Sequence, residues 1–131
     1  MPQSFAVRPW AFLALMLLIL MLAPARAEPA GQCFSTAEMG NWRAADDRTL
    51  YVRVRLNKVY RVDLRDRCSF LTAPGARLIS TFRGSNLICS PLDWDLKVSS
   101  GIGGSIEPCL VKAMTPLSPE EIAALPKKAV P

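Results

Sequence analysis

Four cysteines place the strongest bound on what this chain can fold into. Cys33, Cys68, Cys89 and Cys109 follow one another at spacings of 35, 21 and 20 positions. No two are separated by two residues, so the chain spells neither a zinc motif nor a thioredoxin-type redox motif. An even set of this kind reads as two structural disulfides formed in an oxidising compartment. Each would contribute about 2–4 kcal/mol by restricting the unfolded chain. Three pairings are open, and the spacings do not choose among them.

The N-terminus agrees with an oxidising destination. Arg8 supplies positive charge, and Trp10 to Ala23 is an unbroken apolar run of 14 residues. Ala23-Pro24-Ala25-Arg26-Ala27 then offers small residues at alternate positions, as a signal peptidase requires. Residues 1–27 therefore read as a signal peptide cut after Ala27, with Ala25 also permitted by spacing. The run is shorter than the roughly 20 apolar residues of a spanning helix, which argues against a retained anchor. Gln32 is too large to precede a lipidated Cys33. Removing 27 of the 131 residues leaves 104, enough for one domain. Fourteen basic side chains then face 11 acidic ones, a net charge of about +3, which gives no footing for nucleic-acid binding.

The expected organisation is a signal peptide (1–27), a flexible lead (28–32), a single disulfide-stapled domain (33–126) and a basic tail (127–131). Within the domain, Asn41 to Ala45 reads as a short strand and Asp46-Asp47-Arg48-Thr49 as a turn. Leu50, Val52, Val54 and Leu56 alternate with Tyr51, Arg53 and Arg55, the signature of a half-buried strand. Tyr60, Val62 and Leu64 repeat it. Opposed residues share a face, so the hairpin between these strands needs an odd-length loop. A three-residue turn with Leu56 opposite Tyr60 and Val54 opposite Val62 satisfies that parity. Further strands are expected over 77–82, 86–90, 94–98 and 106–114, punctuated by glycine-bearing turns. Ser118, Pro119 and Glu121 spell a capped helix start, stopped by Pro126. The fold class is mainly β: a small antiparallel barrel or sandwich of about five to six strands with one short C-terminal helix.

Chemistry is sparse. The chain has no histidine, which removes Ser-His-Asp and Cys-His triads and most zinc and copper sites. Asp93-Trp94-Asp95 could place two carboxylates on one strand face beside an aromatic, although a solvent-facing edge with Trp94 packed inward explains it better. Gly101-Ile102-Gly103-Gly104-Ser105 lacks the lysine of a phosphate-binding loop, and Ile106 stands where a dinucleotide fingerprint has its third glycine. A flexible hairpin loop is the better reading. Arg53, Arg55 and Arg61 share the outer face of the hairpin by the alternation argument and are candidate anion-binding residues. A solvated face guarding an edge strand is their simpler explanation. No catalytic, metal-binding or cofactor-binding residue is expected.

Several segments taken in order resemble a family of small exported proteobacterial proteins, the domain-of-unknown-function family 6491. They are Cys33; Trp42 leading to Asp46-Asp47-Arg48-Thr49-Leu50-Tyr51-Val52; Tyr60-Arg61-Val62-Asp63-Leu64; and Cys68. Leu87-Ile88-Cys89-Ser90, Cys109-Leu110-Val111 and Pro116-Leu117-Ser118-Pro119-Glu120-Glu121 complete the set. The resemblance spans about residues 33–125 and departs around Trp94 and the glycine-rich loop. It implies that the cysteines and the C-terminal helix belong to the framework, and it carries no activity. The expected function is a non-catalytic envelope domain, periplasmic or secreted, that binds or supports an envelope component or protein partner. The rivals are a small hydrolase or enzyme inhibitor, and a binder of anionic envelope components through the arginine face. Membrane contact is expected only through the signal peptide.

Overall fold

The computed structural model describes residues 33–82, 84–101 and 103–131. The expected signal peptide 1–27, the lead 28–32, and Arg83 and Ile102 in the glycine-bearing turns lie outside the described residues. Nine strands form among those described: β1 (Phe34–Ser35), β2 (Met39–Ala44), β3 (Thr49–Val54), β4 (Lys58–Leu64), β5 (Arg77–Phe82), β6 (Leu87–Ile88), β7 (Trp94–Ser99), β8 (Ile106–Pro108) and β9 (Val111–Pro116). They build three antiparallel sheets, ordered β2-β3-β4-β9, β5-β7-β8 and β1-β6. The fold is mainly β, as expected. Its sheets stay open and sandwich-like rather than closing into a barrel.

The strand count exceeds the expected five to six for two reasons. The two-residue β1 is too short to show a period, whereas β6 falls within the strand expected over 86–90. The stretch expected as one strand over 106–114 is broken at Cys109, where the chain passes from the second sheet to the first. Cys109 donates its N–H to the Leu96 carbonyl at 2.9 Å and bonds through sulfur to Cys68, so that residue ends one ladder before β9 begins the next.

Alternation fixes which face is buried. Leu50, Val52 and Val54 on β3, and Tyr60, Val62 and Leu64 on β4, all enter the core. Leu96 and Val98 on β7 meet them from the second sheet, with Trp94 beside them. Phe34 ties the layers together, its ring centroid 4.9 Å from Tyr60 and 6.0 Å from Trp94. The hairpin loop is Arg55-Leu56-Asn57, the odd length that parity demands. The turn is centred on Leu56 rather than Lys58, however, so Val52 meets Tyr60 and Leu50 meets Val62. Leu56 therefore sits at the loop tip and is 84% exposed instead of paired with Tyr60. The chain turns early because Arg55 takes a left-handed backbone, φ 56°, and donates its N–H to the Glu38 carbonyl at 2.8 Å.

The outer face of the first sheet is partly covered. After β9, Leu117 donates its N–H to the Val59 carbonyl, and Ser118 caps α1 (Pro119–Ala123) by accepting from Glu121 N–H. The segment 127–131, expected as a basic tail, forms a 3₁₀ turn over Lys127–Ala129 beside β2. Arg53 Nε donates to the Pro131 backbone oxygen at 3.0 Å. Val59 and Ala129 are both buried, and neither belongs to the main cluster.

The disulfides pair Cys33 with Cys89 and Cys68 with Cys109, an interleaved connectivity. The first closes the end of the β1–β6 pair next to Phe34. The second joins the exit of β4 to the crossing between sheets.

Candidate functional site

Each candidate residue can now be placed. Arg53 and Arg61 do share the outer face, since Tyr51 opposes Arg61 and Arg53 opposes Val59. Arg55 leaves that face at the turn. All three guanidinium groups have acceptors within the chain. Arg53 donates to the Pro131 and Leu56 backbone oxygens, Arg55 to Glu38 Oε1, and Arg61 Nε to Asp63 Oδ1 at 3.0 Å. Asp63 raises the Arg61 pKa through this bond. An anion at this face would have to displace these partners.

Asp93 and Asp95 do not converge. Asp93 ends the 3₁₀ turn Pro91–Asp93, where its carboxylate accepts from the Ser90 N–H at 2.8 Å and the Cys89 N–H at 3.1 Å. The Ser90 hydroxyl and these amides hold its pKa below the ordinary range. Asp95 lies on β7, accepts from Thr81 Oγ1 at 2.8 Å and pairs with Lys97 at 3.3 Å. Trp94 between them is buried and donates its Nε1–H to Ser80 Oγ at 3.0 Å. The glycine-rich stretch is the β7–β8 hairpin loop, closed by Ser100 N–H donating to the Ser105 carbonyl.

One cluster has the composition of a metal site: Cys68, Glu107 and Cys109, with ligand atoms within 4.8 Å of one another. The two sulfurs are bonded to each other, and Glu107 Oε2 accepts from the Phe70 N–H at 3.0 Å. In the oxidised protein this group is structural, because neither sulfur is a thiolate.

The concavity with most to offer was not visible in the sequence. A groove of about 480 Å³ is bounded by Gly40 to Ala44 of β2 and by Leu71, Thr72, Ala73, Gly75 and Ala76 of the turn leading to β5. A second hollow of about 270 Å³ shares Gly40 and Trp42 and runs on to Leu78 and Ser80 of β5. Trp42 is half-buried and stands at the junction. Among the described residues, neither hollow is lined by an acidic side chain, and Arg43 is the one cation in the lining. An aromatic platform, small residues and one arginine can seat a ligand, but they supply no general acid or base. The two walls come from segments some 30 positions apart, so no local pattern could have marked them.

Searches of the curated proteins and of the solved structures found no match. A family model matches residues 8–130, reaching beyond the resembling segments at both ends, through the apolar run on one side and the Lys127–Ala129 turn on the other. With that match, the chain belongs to the family of unknown function DUF6491.

Proposed function

We propose that this chain is an exported, non-catalytic binding domain, with residues 1–27 as its signal peptide, and that it seats an envelope component or protein partner in the Trp42 groove. The observation that carries the reading is the groove itself: Trp42 and small residues form it, Arg43 stands in it, and no carboxylate does. The two disulfides indicate an oxidising, non-cytoplasmic compartment, and the periplasm or the exterior fits that requirement. A binding role is also supported by the acidic residues Glu38, Asp47, Asp63, Asp93 and Asp95, which all hold ion pairs or caps.

The test is amide shift mapping of the oxidised protein against separated envelope fractions of peptides, glycans and lipid micelles. A ligand fraction should move the amides of residues 40–44 and 71–76 and leave α1 unmoved. Trp42→Ala should weaken that response while keeping a cooperative melting transition, at a lower temperature because Trp42 also packs against the core. If no fraction moves these amides, the groove is not a binding site.

A further inference from the structure

We infer that the groove is a strand-addition site, in which an extended acidic polypeptide segment pairs with the open edge of β2. This rests on the binding role proposed above and names its partner by chemistry. The argument begins with the phase of the ladders. Ala45 donates its N–H to the Thr49 carbonyl at 2.8 Å, so the backbone of residue 45 points to β3. Backbone direction alternates along a strand, which turns Arg43 toward β3 and Trp42 and Ala44 toward the open edge. The Trp42 carbonyl indeed accepts from the Arg43 guanidinium at 3.3 Å rather than lying within the ladder.

The same reasoning applies across the groove. Ser100 N–H to the Ser105 carbonyl and Cys109 N–H to the Leu96 carbonyl show that even-numbered backbone of β7 faces β8. Odd-numbered backbone of β7 therefore serves β5 through Arg77, Ile79 and Thr81. Leu78 and Ser80 are left with their N–H and C=O groups on the open edge. These two residues line the hollow that Trp42 also lines. Among the described residues, two sheet edges without a neighbouring strand thus open onto one hollow, the arrangement that an added strand satisfies through its main chain.

Charge selects the strand. Arg43 lines the larger groove that meets this hollow at Gly40 and Trp42, and Arg77 adjoins its lining residue Ala76. Both are exposed, and among the described residues neither has a carboxylate partner. Edge-to-edge pairing with a second copy would bring arginine toward arginine, which is unfavourable. A segment that alternates apolar and acidic residues would turn its apolar side to Trp42 and its carboxylates to the arginines.

The test uses the oxidised protein and three acetylated decapeptides: alternating Val/Glu, alternating Val/Lys, and the Val/Glu peptide N-methylated at alternate residues. The Val/Glu peptide should shift the Trp42, Ala44, Leu78 and Ser80 amides, and each of the others should bind at least about tenfold more weakly. Ala44→Pro removes an outward N–H that β3 does not use, and it should abolish binding with the melting transition retained. Arg43→Glu should reverse the preference toward the Val/Lys peptide, and it decides the matter if the proline variant fails to fold. Equal binding of all three peptides, or no shift with Val/Glu, overturns the proposal. If envelope fractions still move the groove amides in that case, strand addition alone has failed. If they do not, the binding role fails with it.

Discussion

Trp94 is 3% exposed, yet its Nε1–H must have an acceptor, and Ser80 supplies one across the β5–β7 pair. Ser80→Ala removes that acceptor and leaves a buried donor unsatisfied, at a cost of about 1–3 kcal/mol. Urea denaturation should read this loss, and Ser80→Thr, which keeps a hydroxyl, should recover most of it. Glu38 makes a second residue-scale prediction. The Ser35 N–H and then Arg55 hold its carboxyl below the ordinary range. A depressed folded pKa contributes stability that is present above the unfolded pKa and disappears as pH falls through the folded one. Acid melting curves of Glu38→Gln should therefore be flatter than those of the parent across the low-pH carboxylate range. An unchanged pH dependence would show that the capping box contributes nothing. Three Ser-x-x-acid boxes exist, at Ser35/Glu38, Ser90/Asp93 and Ser118/Glu121. Only the last was legible in sequence, because Ile122 and Leu125 continue a helical spacing after it. The other two cap single turns that run straight into strands, so Asp93 looks like the start of the Trp94 alternation.

Among the elements, the inward facing of Leu50, Val52 and Val54 on β3 and of Tyr60, Val62 and Leu64 on β4 was legible from alternation, whereas the burial of Val59 on the outer face was not. What parity left open was where the hairpin turns. It constrains the loop length to odd values but leaves the loop centre free, and the Glu38 carbonyl, from a different element, draws Arg55 into the turn. The C-terminal segment was less legible still. Lys127 and Lys128 look like a solvated tail, while Ala129 and Pro131, which make the contact, are too small or too irregular to announce a buried face. Deleting residues 127–131 should remove the buried Ala129, which is 2% exposed, together with the turn's contact with β2, and cost about 0.8 kcal/mol for the buried methyl. The same deletion frees the Arg53 guanidinium from Pro131. A lower melting temperature with an unchanged core, seen as preserved amide shifts for Leu96 and Val98, is the expected outcome. A deletion variant as stable as the full chain would mean that the segment only rests on the sheet.

At the scale of the whole molecule, one disulfide clamps the end of the β1–β6 pair and the other ties the exit of β4 to the crossing between the two larger sheets. Their pairing was illegible because it depends on how the layers dock: Cys89 follows β6, and only the β1–β6 pair brings it to Cys33. The bridges span 56 and 41 positions, so the loop-entropy account assigns each a similar contribution of about 4 kcal/mol. Loop length therefore does not distinguish them, but burial does. Cys33 and Cys89 are exposed at the end of the small sheet, whereas Cys68 and Cys109 are 1% and 3% exposed within the core. A thiolate must reach a sulfur to open a bridge, so access governs the rate. Under limiting reductant without denaturant, followed by alkylation and peptide mass mapping, Cys33 and Cys89 should be labelled first. Cys68 and Cys109 should be labelled only as the fold opens, in step with loss of the β signal in circular dichroism. Paired alanine replacement should agree: without Cys33 and Cys89 the Trp94 and Leu96 core should persist at a lower melting temperature. Loss of Cys68 and Cys109 should also leave a void beside Leu71 and loosen the crossing from β8 to β9. Early labelling of Cys68 and Cys109 would mean that this crossing opens before the rest of the fold, and that the small sheet rather than the core bridge holds the two larger sheets together.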